Sequence, residues 1–169
     1  VFPKILLPIQ LGYSSSGEVV QVGQGVKDFH VGDKVISNGN HAEYVLVNEN
    51  LCTRIPDDTS MKEAAFTVIG SIALHSLRLS ETSLGSKVVV IGLGIVGQLV
   101  SRLAEAQGSE VIGIDPDSSR HLNNKNFYES VEGLELENVD SVIITAASSS
   151  NEPIEVATKI ARNKAKIVV

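Results

Sequence analysis

The amino-acid sequence predicts an α/β protein in which a doubly wound parallel sheet follows a small all-β unit. Two uninterrupted apolar runs, Lys87–Ile91 and Glu110–Ile114, are typical of parallel strands that are covered on both faces. Residues 95–107 lie between these runs and have the apolar spacing of a helix, which Gly108 ends. A strand, a helix and a strand within about thirty residues form one right-handed crossover unit.

The region before residue 60 is predicted to be an all-β unit. Its short runs Glu18–Gly23, Lys34–Ser37 and Glu43–Val47 are rich in β-branched residues and are separated by glycine-containing turns. We therefore expect one domain over residues 1–60 and a second over residues 61–169.

The second domain is expected to begin with a helix, because Ser60 and Glu63 have the spacing of a capping box. Few residues separate Asp115 from Val139, where a doubly wound sheet normally holds a helix, a strand and another helix. The remaining predicted elements are strands over residues 127–131, 140–145 and 166–169 and a helix over residues 153–162.

Composition excludes several classes of function. The chain has 169 residues, a net charge of −6 and 4% aromatic residues, so it lacks the basic stripe and stacking side chains of a nucleic-acid-binding protein. No apolar run of membrane-spanning length is present, and Val1–Ile9 is interrupted by Pro3, Lys4 and Pro8. A single cysteine, Cys52, cannot form an internal disulfide. These features predict a cytoplasmic location and no membrane partner.

A glycine-rich motif directly follows the first buried strand and opens the helix after it. Each glycine has a physical role: the first permits a tight turn, the second leaves room for a pyrophosphate, and the third lets the helix approach the strand. Asp115 ends the next strand 18 residues after Gly97, where a carboxylate would accept the hydroxyls of a ribose. The predicted dinucleotide-binding loop is Gly92, Leu93, Gly94, Ile95, Val96 and Gly97.

The predicted cofactor is NAD, because the charge of Asp115 would repel the 2′-phosphate of NADP. Arg120 is a further cofactor candidate, either as a phosphate contact or as a cover for the adenine face. Thr145 and Ala146 end a later strand, at the sheet edge where the nicotinamide half of the cofactor should lie, although an ordinary loop is the alternative there. The competing interpretation of the whole motif is a glycine-rich turn that binds nothing, with Asp115 as a helix cap.

Several segments resemble the medium-chain dehydrogenase/reductase superfamily, which includes the zinc alcohol dehydrogenases. The resemblance covers nearly the whole chain, and it implies a GroES-like β substrate domain without its N-terminal part, followed by a Rossmann domain without its C-terminal end. The matching segments are Gly12–Val20, Val22–Val26, Phe29–Val35, His41–Val45, Ile55–Pro56, Ala64–Phe66 and Gly92–Gly97.

Within that superfamily the chain looks most like bacterial two-part oxidoreductases. That resemblance implies a second oxidoreductase domain in a longer parent polypeptide and sugar-related substrates. The features in common are Leu11–Ser14, Ser37–Glu43, Asn50–Cys52, Ala65–Ser71 and Asn151–Pro153.

The chain departs from the zinc-dependent members where these have Gly-His-Glu, because Tyr13 and Ser14 follow Gly12. Neither side chain is a normal zinc ligand, and Thr67, near the place of a later ligand, is equally poor. We therefore expect no catalytic zinc. The hydroxyls of Tyr13, Ser14 and Thr67 are candidate stabilisers of the reacting oxygen, with packing and capping roles as the alternatives.

The function predicted from these observations is an NAD-dependent, zinc-independent oxidoreductase that acts on a small hydroxyl or carbonyl compound. An NADPH-dependent quinone or enoyl-type reductase is one alternative, and a non-catalytic dinucleotide-binding module of a larger protein is another. A homo-oligomer is a further expectation.

Overall fold

The computed structural model describes residues 10–169, so the expectations for Val1–Ile9 lie outside the described residues. The chain divides into two compact units between Ile69 and Gly70. Each unit is described by itself. Within the described residues no helix is both long and apolar enough to cross a membrane.

The first unit contains a three-stranded antiparallel sheet with β1 (Ser15–Glu18), β2 (Lys34–Ser37) and β3 (Cys52–Arg54) side by side in that order. The predicted strand over residues 34–37 is confirmed. The prediction of a strand over residues 18–23 is wrong, because β1 pairs with the four-residue β2 only from Ser15 to Glu18 and residues 19–23 form no strand.

The predicted strand Glu43–Val47 is also wrong, and β3 was not predicted. Residues 43–47 form no strand, although their composition favours one. The preference of such residues for strands depends on packing against a neighbouring strand, and within residues 10–169 no strand pairs with this segment.

Two helices follow, α1 (Met61–Ala64) and α2 (Thr67–Ser80). The predicted capping box is present: the Ser60 hydroxyl accepts from the Glu63 N–H at 3.2 Å, and the Ser60 N–H donates to Glu63 Oε2 at 3.1 Å. The helix therefore begins as expected, but a turn at Ala65 and Phe66 separates it from α2.

Serine hydroxyls fasten the β1 region to α1. Ser14 Oγ donates to the Ala65 carbonyl at 2.5 Å, and Ser16 Oγ donates to the Met61 carbonyl at 2.6 Å. Residues two apart in extended chain are about 6.7 Å apart, and residues four apart along a helix rise by about 6 Å, so the two spacings match.

The second unit is built on a five-stranded parallel sheet with the strand order β6-β5-β4-β7-β8. This is the predicted fold class. The bounds of its elements are β4 (Lys87–Ile91), α3 (Ile95–Ala106), β5 (Glu110–Ile114), β6 (Phe127–Tyr128), β7 (Val139–Ile144), α4 (Glu152–Ile160) and β8 (Ala161–Val168).

Strand β4 is buried on both faces. Val88 and Val90 pack in one apolar core with α3, whereas Val89 and Ile91 pack in another with α4. Successive side chains of a strand point to opposite faces, so an all-apolar run is what a central strand needs. Because β4 is the middle strand of the sheet, its carboxyl end lies at the centre of that edge.

The short stretch from Asp115 to Val139 forms few elements of secondary structure. It holds a short 3₁₀ helix, Ser118–His121, and the two-residue β6, and it contains no α-helix. The predicted strand over residues 127–131 is therefore present but shorter. At the end of the chain, β8 begins five residues earlier than predicted and contains an irregular register between Val139 and Ser141 of its partner β7.

Candidate functional site

The tight turn between β4 and α3 requires glycine at its first position. Gly92 has a φ of 95°, in the left-handed region that other residues rarely adopt. A methyl group there would lie 2.6 Å from the backbone nitrogen of Ala146. Both the backbone angle and the close neighbour exclude a side chain.

The other two glycines of the loop have opposite surroundings. A methyl group on Gly97 would lie 1.9 Å from the Gly92 carbonyl oxygen and 2.8 Å from Thr145 Oγ1, so α3 sits directly against the turn. A methyl group on Gly94 would meet no atom within 4 Å. The space above Gly94 is therefore open, as a bound pyrophosphate would need.

The amino end of α3 faces this open space without a capping side chain. Gly94 is the N-cap residue, no side chain accepts from the first N–H groups, and no acidic residue lies in the first turn. The first N–H groups of a helix have no partner within the helix, and its dipole makes this end positive. The loop thus provides an anion-binding site made of backbone.

The remaining loop residues have different surroundings. Leu93 is buried in the apolar core beneath the loop, Val96 is half-buried against it, and Ile95 is exposed. None of these side chains is polar, so the loop can bind an anion only through its backbone N–H groups.

Asp115 lies beside this loop and is 3% exposed. Its Oδ2 accepts from the Leu93 N–H at 2.7 Å, and its Oδ1 accepts from the Asp117 N–H at 2.9 Å. Burial disfavours the ionised carboxylate, but these N–H donors and the Arg120 guanidinium outweigh it and hold the pKa of Asp115 below its ordinary value. The carboxylate is thus charged at neutral pH and braces the loop.

Arg120 covers the carboxylate from the solvent side. Its Nη1 lies 3.2 Å from Asp115 Oδ2, and its Nε lies 3.3 Å from Asp117 Oδ2. The Arg120 side chain is 51% exposed, so about half of it is open to solvent. The structure therefore brings both predicted cofactor residues, Asp115 and Arg120, to one place.

Two residues of this site were missed by the sequence analysis. Gln98 Nε2 donates to the carbonyls of Leu93 and Arg120, and thereby joins α3, the loop and the 3₁₀ helix. His121 Nε2 lies 2.9 Å from the Asp115 carbonyl oxygen. Gln98 lies one helical turn after Gly94, so its position in the sequence could have indicated that it contacts the loop. Nothing in the sequence indicated a role for His121.

Thr145 and Ala146 also lie against the loop. Thr145 Oγ1 donates to the Gly92 carbonyl at 2.6 Å, and its N–H donates to the Ile91 carbonyl at 2.8 Å. These bonds support the base of the turn, so the Thr145 hydroxyl already has a structural role in the second unit.

The three predicted catalytic hydroxyls all belong to the first unit. The Tyr13 side chain is 56% exposed, and Thr67, the first residue of α2, is also exposed. Ser14 is buried, and its one proton is donated to the Ala65 carbonyl. Because Ala65 lies two residues before Thr67, this bond brings the Tyr13–Ser14 segment to the start of α2.

Zinc does not fit the donors that the structure provides. A catalytic zinc needs about three protein ligands drawn from Cys, His and carboxylate side chains. Tyr13 and Thr67 offer neutral hydroxyls, and Ser14 is occupied as a hydrogen-bond donor. In the part of the chain that the structure describes, no three His, Cys, Asp or Glu side chains converge on one point.

Comparison with known proteins agrees with this architecture. Residues 2–57 match the family model of the alcohol dehydrogenase GroES-like domain. Among the relatives is (R,R)-butanediol dehydrogenase of Bacillus subtilis (strain 168), which is 25% identical over 90% of this chain and 52% of its own length. D-guloside 3-dehydrogenase of Escherichia coli (strain K12) is 36% identical over 66% of this chain and 33% of its own.

A solved structure shows the same fold. Galactitol-1-phosphate dehydrogenase from Escherichia coli superposes with a TM-score of 0.81 at 25% identity, over 92% of this chain and 57% of that protein. A small antiparallel β unit followed by a doubly wound α/β unit with an anion-binding loop defines the class of protein. The chain belongs to the medium-chain dehydrogenase/reductase superfamily, as its sequence motifs indicate. It spans about half the length of the butanediol dehydrogenase and a third of the guloside dehydrogenase.

Proposed function

We propose that this chain is the NAD(H)-binding part of a zinc-independent oxidoreductase that interconverts a small hydroxyl compound and its carbonyl form. The observation that carries the proposal is the open space above Gly94, in front of an uncapped helix end. The first N–H groups of a helix have no partner within the helix, and a pyrophosphate in this space would accept from them. The dehydrogenase names of the relatives support the reaction class, and the sugar and polyol names among them support a sugar-related substrate.

The preference for NAD rests on Asp115. Three donors already reach its carboxylate, so a ribose diol would bind by displacing Arg120, the only one of the three that is a side chain. The Arg120 guanidinium would then lie beside the adenine. A 2′-phosphate at the same place would bring its charge against the buried carboxylate, which is unfavourable in a site with little water.

Arg120 also supports the competing interpretation, an NADPH-dependent reductase, because a guanidinium binds a phosphate well. Calorimetric titration of the chain with NADH and with NADPH separates the two. We expect NADH to bind at least about tenfold more tightly, a difference of about 1.4 kcal/mol. The substitution Asp115→Ser should reduce that preference, whereas Asp117→Asn, which changes a more exposed carboxylate, should leave it.

Equal or tighter binding of NADPH by the unmodified chain would favour the reductase. If the chain binds neither coenzyme, the proposal is wrong, because the loop would then be a structural turn only.

The donor set around Tyr13 and Ser14 supports the proposed zinc independence. We expect far less than one zinc per chain after expression in zinc-supplemented medium and dialysis against a chelator, measured by elemental analysis. About one retained zinc per chain would show that ligands come from elsewhere in the protein.

Without a metal, the oxygen that gains negative charge needs hydrogen-bond donors. The bound cofactor supplies or accepts the hydride. Tyr13 and Thr67 keep their hydroxyls free of partners among the described residues, so they are the donors we propose, with Ser14 as the residue that positions them. Tyr13→Phe and Thr67→Val should then lower turnover while NADH affinity stays unchanged.

A non-catalytic role makes the opposite prediction. If the full parent protein binds NADH but converts no member of a polyol and aldehyde panel, the chain is a dinucleotide-binding module whose chemistry lies elsewhere.

A further inference from the structure

The side chain of Gln98 joins the glycine-rich loop to the 3₁₀ helix Ser118–His121. It is half-buried, and its Nε2 donates to the Leu93 carbonyl at 3.3 Å and to the Arg120 carbonyl. A side-chain amide nitrogen carries two protons, so these two bonds use both of them. The Gln98 backbone is fixed as well, because its N–H donates to the Gly94 carbonyl at 2.9 Å. The link therefore starts from a rigid point in the first turn of α3.

The two residues that accept from Gln98 are themselves bonded to Asp115. The Leu93 N–H donates to Asp115 Oδ2 at 2.7 Å, and Arg120 Nη1 donates to the same oxygen at 3.2 Å. Four hydrogen bonds thus close a ring that passes through the loop, the carboxylate, the 3₁₀ helix and the Gln98 amide. No member of a closed ring can move far unless one of its bonds breaks. The ring therefore fixes the 3₁₀ helix relative to the loop.

The 3₁₀ helix depends on Gln98 for its connection to α3. Among the residues that the structure describes, no other hydrogen bond joins residues 118–121 to that helix. The chain directly after residue 121 is strained, because Leu122 has a φ of 47°, a costly conformation for a residue with a side chain. Without the Gln98 amide, the 3₁₀ helix would be free to relax away from the loop and to carry Arg120 with it.

We propose that Gln98 is a positioning residue that sets the preference for NADH over NADPH, by holding the Arg120 backbone at a fixed place beside Asp115. The inference rests on the proposed function. It adds a determinant of coenzyme choice that lies on α3 and not at the end of β5.

The backbone and the side chain of Arg120 have separate roles in this proposal. When a ribose diol displaces the guanidinium from Asp115, Gln98 still holds the Arg120 carbonyl, so the space beside the carboxylate does not widen. A 2′-phosphate is larger and charged, and it binds well only if the guanidinium pairs with it away from the buried carboxylate. That pairing requires the 3₁₀ helix to move outward, and Gln98 opposes the movement.

Gln98→Met tests the role of the amide, because methionine has a similar length and no donor. We expect weaker binding of NADH, and a ratio of the NADPH to the NADH dissociation constant that is at least about fivefold smaller than in the unmodified chain, measured by calorimetry. Gln107→Met is the matched control. Gln107 is exposed at the other end of α3, where its Nε2 donates to Thr82 Oγ1 at 3.4 Å, and its substitution should leave the ratio unchanged.

The possible results separate this inference from the proposed function. An equal loss of affinity for the two coenzymes in Gln98→Met would show that the residue supports the fold only. That result, or an unchanged ratio, overturns the inference and leaves the proposed NAD(H) site standing. If the unmodified chain binds neither coenzyme, the proposed function and this inference fail together.

Amide hydrogen exchange tests the ring without any coenzyme. The Leu93 N–H belongs to the ring, so its exchange should be at least about threefold faster in Gln98→Met than in the unmodified chain. The Thr145 N–H, which donates to the Ile91 carbonyl outside the ring, is the internal control and should exchange as before. Unchanged exchange at Leu93 would contradict the proposal.

Circular dichroism establishes that the variants fold. If Gln98→Met does not fold, Gln98→Glu takes its place in both measurements, because it keeps the shape of the side chain and replaces the donor with an acceptor. The same fall in the coenzyme ratio and the same faster exchange at Leu93 are expected for it.

Discussion

Gly94 and Gly97 show how the same residue type serves two purposes within one turn. Gly97 is required by the protein itself, because a methyl group there would lie against the Gly92 carbonyl. Gly94 has free space around it and is required only if a ligand enters that space. Substitution of Gly97 should therefore affect the stability of the fold, whereas substitution of Gly94 should affect the binding of a ligand.

Gly94→Ala should lower NADH affinity at least tenfold, about 1.4 kcal/mol or more, while the free energy of unfolding changes by less than about 1 kcal/mol. Gly97→Ala should lower the free energy of unfolding by about 1–3 kcal/mol or more, because the helix must move away from the turn. Urea titration and calorimetry measure the two effects.

Gly17→Ala is the control, since a methyl group at Gly17 also meets no atom within 4 Å but lies in the first unit. If Gly94→Ala binds NADH as well as the unmodified chain does, the space above the loop does not hold the pyrophosphate.

At the scale of elements, the hydrogen bonds between the β1 region and α1 depend on equal spacing of the donors along the extended chain and the acceptors along the helix. Ser14 and Ser16 are two apart on extended chain, and the carbonyls of Ala65 and Met61 are four apart along the helical segment. The same pattern also shows why Ser14 is a poor proton donor to a substrate.

Ser16→Ala should lower the free energy of unfolding of the first unit by about 1 kcal/mol, because the half-buried Met61 carbonyl loses a donor while no methylene is removed. Ser149→Ala, at an exposed serine of the other unit whose hydroxyl makes no hydrogen bond among the described residues, should have no measurable effect. Denaturant melts of both variants give the comparison, and equal stability of the two would show that solvent replaces the Ser16 bond.

At the scale of the whole molecule, each unit has its own core, and the sheet of the second unit is held at both ends by a carboxylate. Asp115 braces the carboxyl ends of the strands. Asp140 lies at the opposite ends, where it accepts from the Lys87 N–H at 2.8 Å and from Arg162 Nε at 2.7 Å. The Lys87 N–H and then the Arg162 guanidinium hold the pKa of Asp140 below its ordinary value.

A depressed carboxylate pKa predicts the direction of the acid response. Stability from Asp140 is fully present above its unfolded pKa of about 3.9 and is lost as the pH falls through the lower folded value. Asp140→Asn should therefore be less stable than the unmodified chain at pH 7, and the difference in stability should shrink as the pH falls below about 3.9. Thermal melts across this range measure the difference, and a gap that does not change with pH would exclude ionisation of Asp140 as its cause.

Much of the second unit was predictable because its signals are local. The bounds of β4 and β5 agree with their apolar runs, and the glycine spacing with Asp115 located the loop. The first unit was less predictable. Residues 43–47 have the composition of a strand but no paired neighbour, and β3 owes its existence to pairing with β2. Strand formation depends on partners that a single segment does not reveal.

The sequence by itself determined the fold class, the place of the glycine-rich loop between β4 and α3, and the presence of Tyr13 and Ser14 where zinc ligands are expected, because residue type and spacing decide these. Only the tertiary structure decided that Asp115 is buried under Arg120, that Ser14 donates to Ala65, and that the Ser101 hydroxyl is buried without a partner among the described residues. Burial and hydrogen-bond partners arise from residues that are distant in sequence, so they become visible only when the chain has folded.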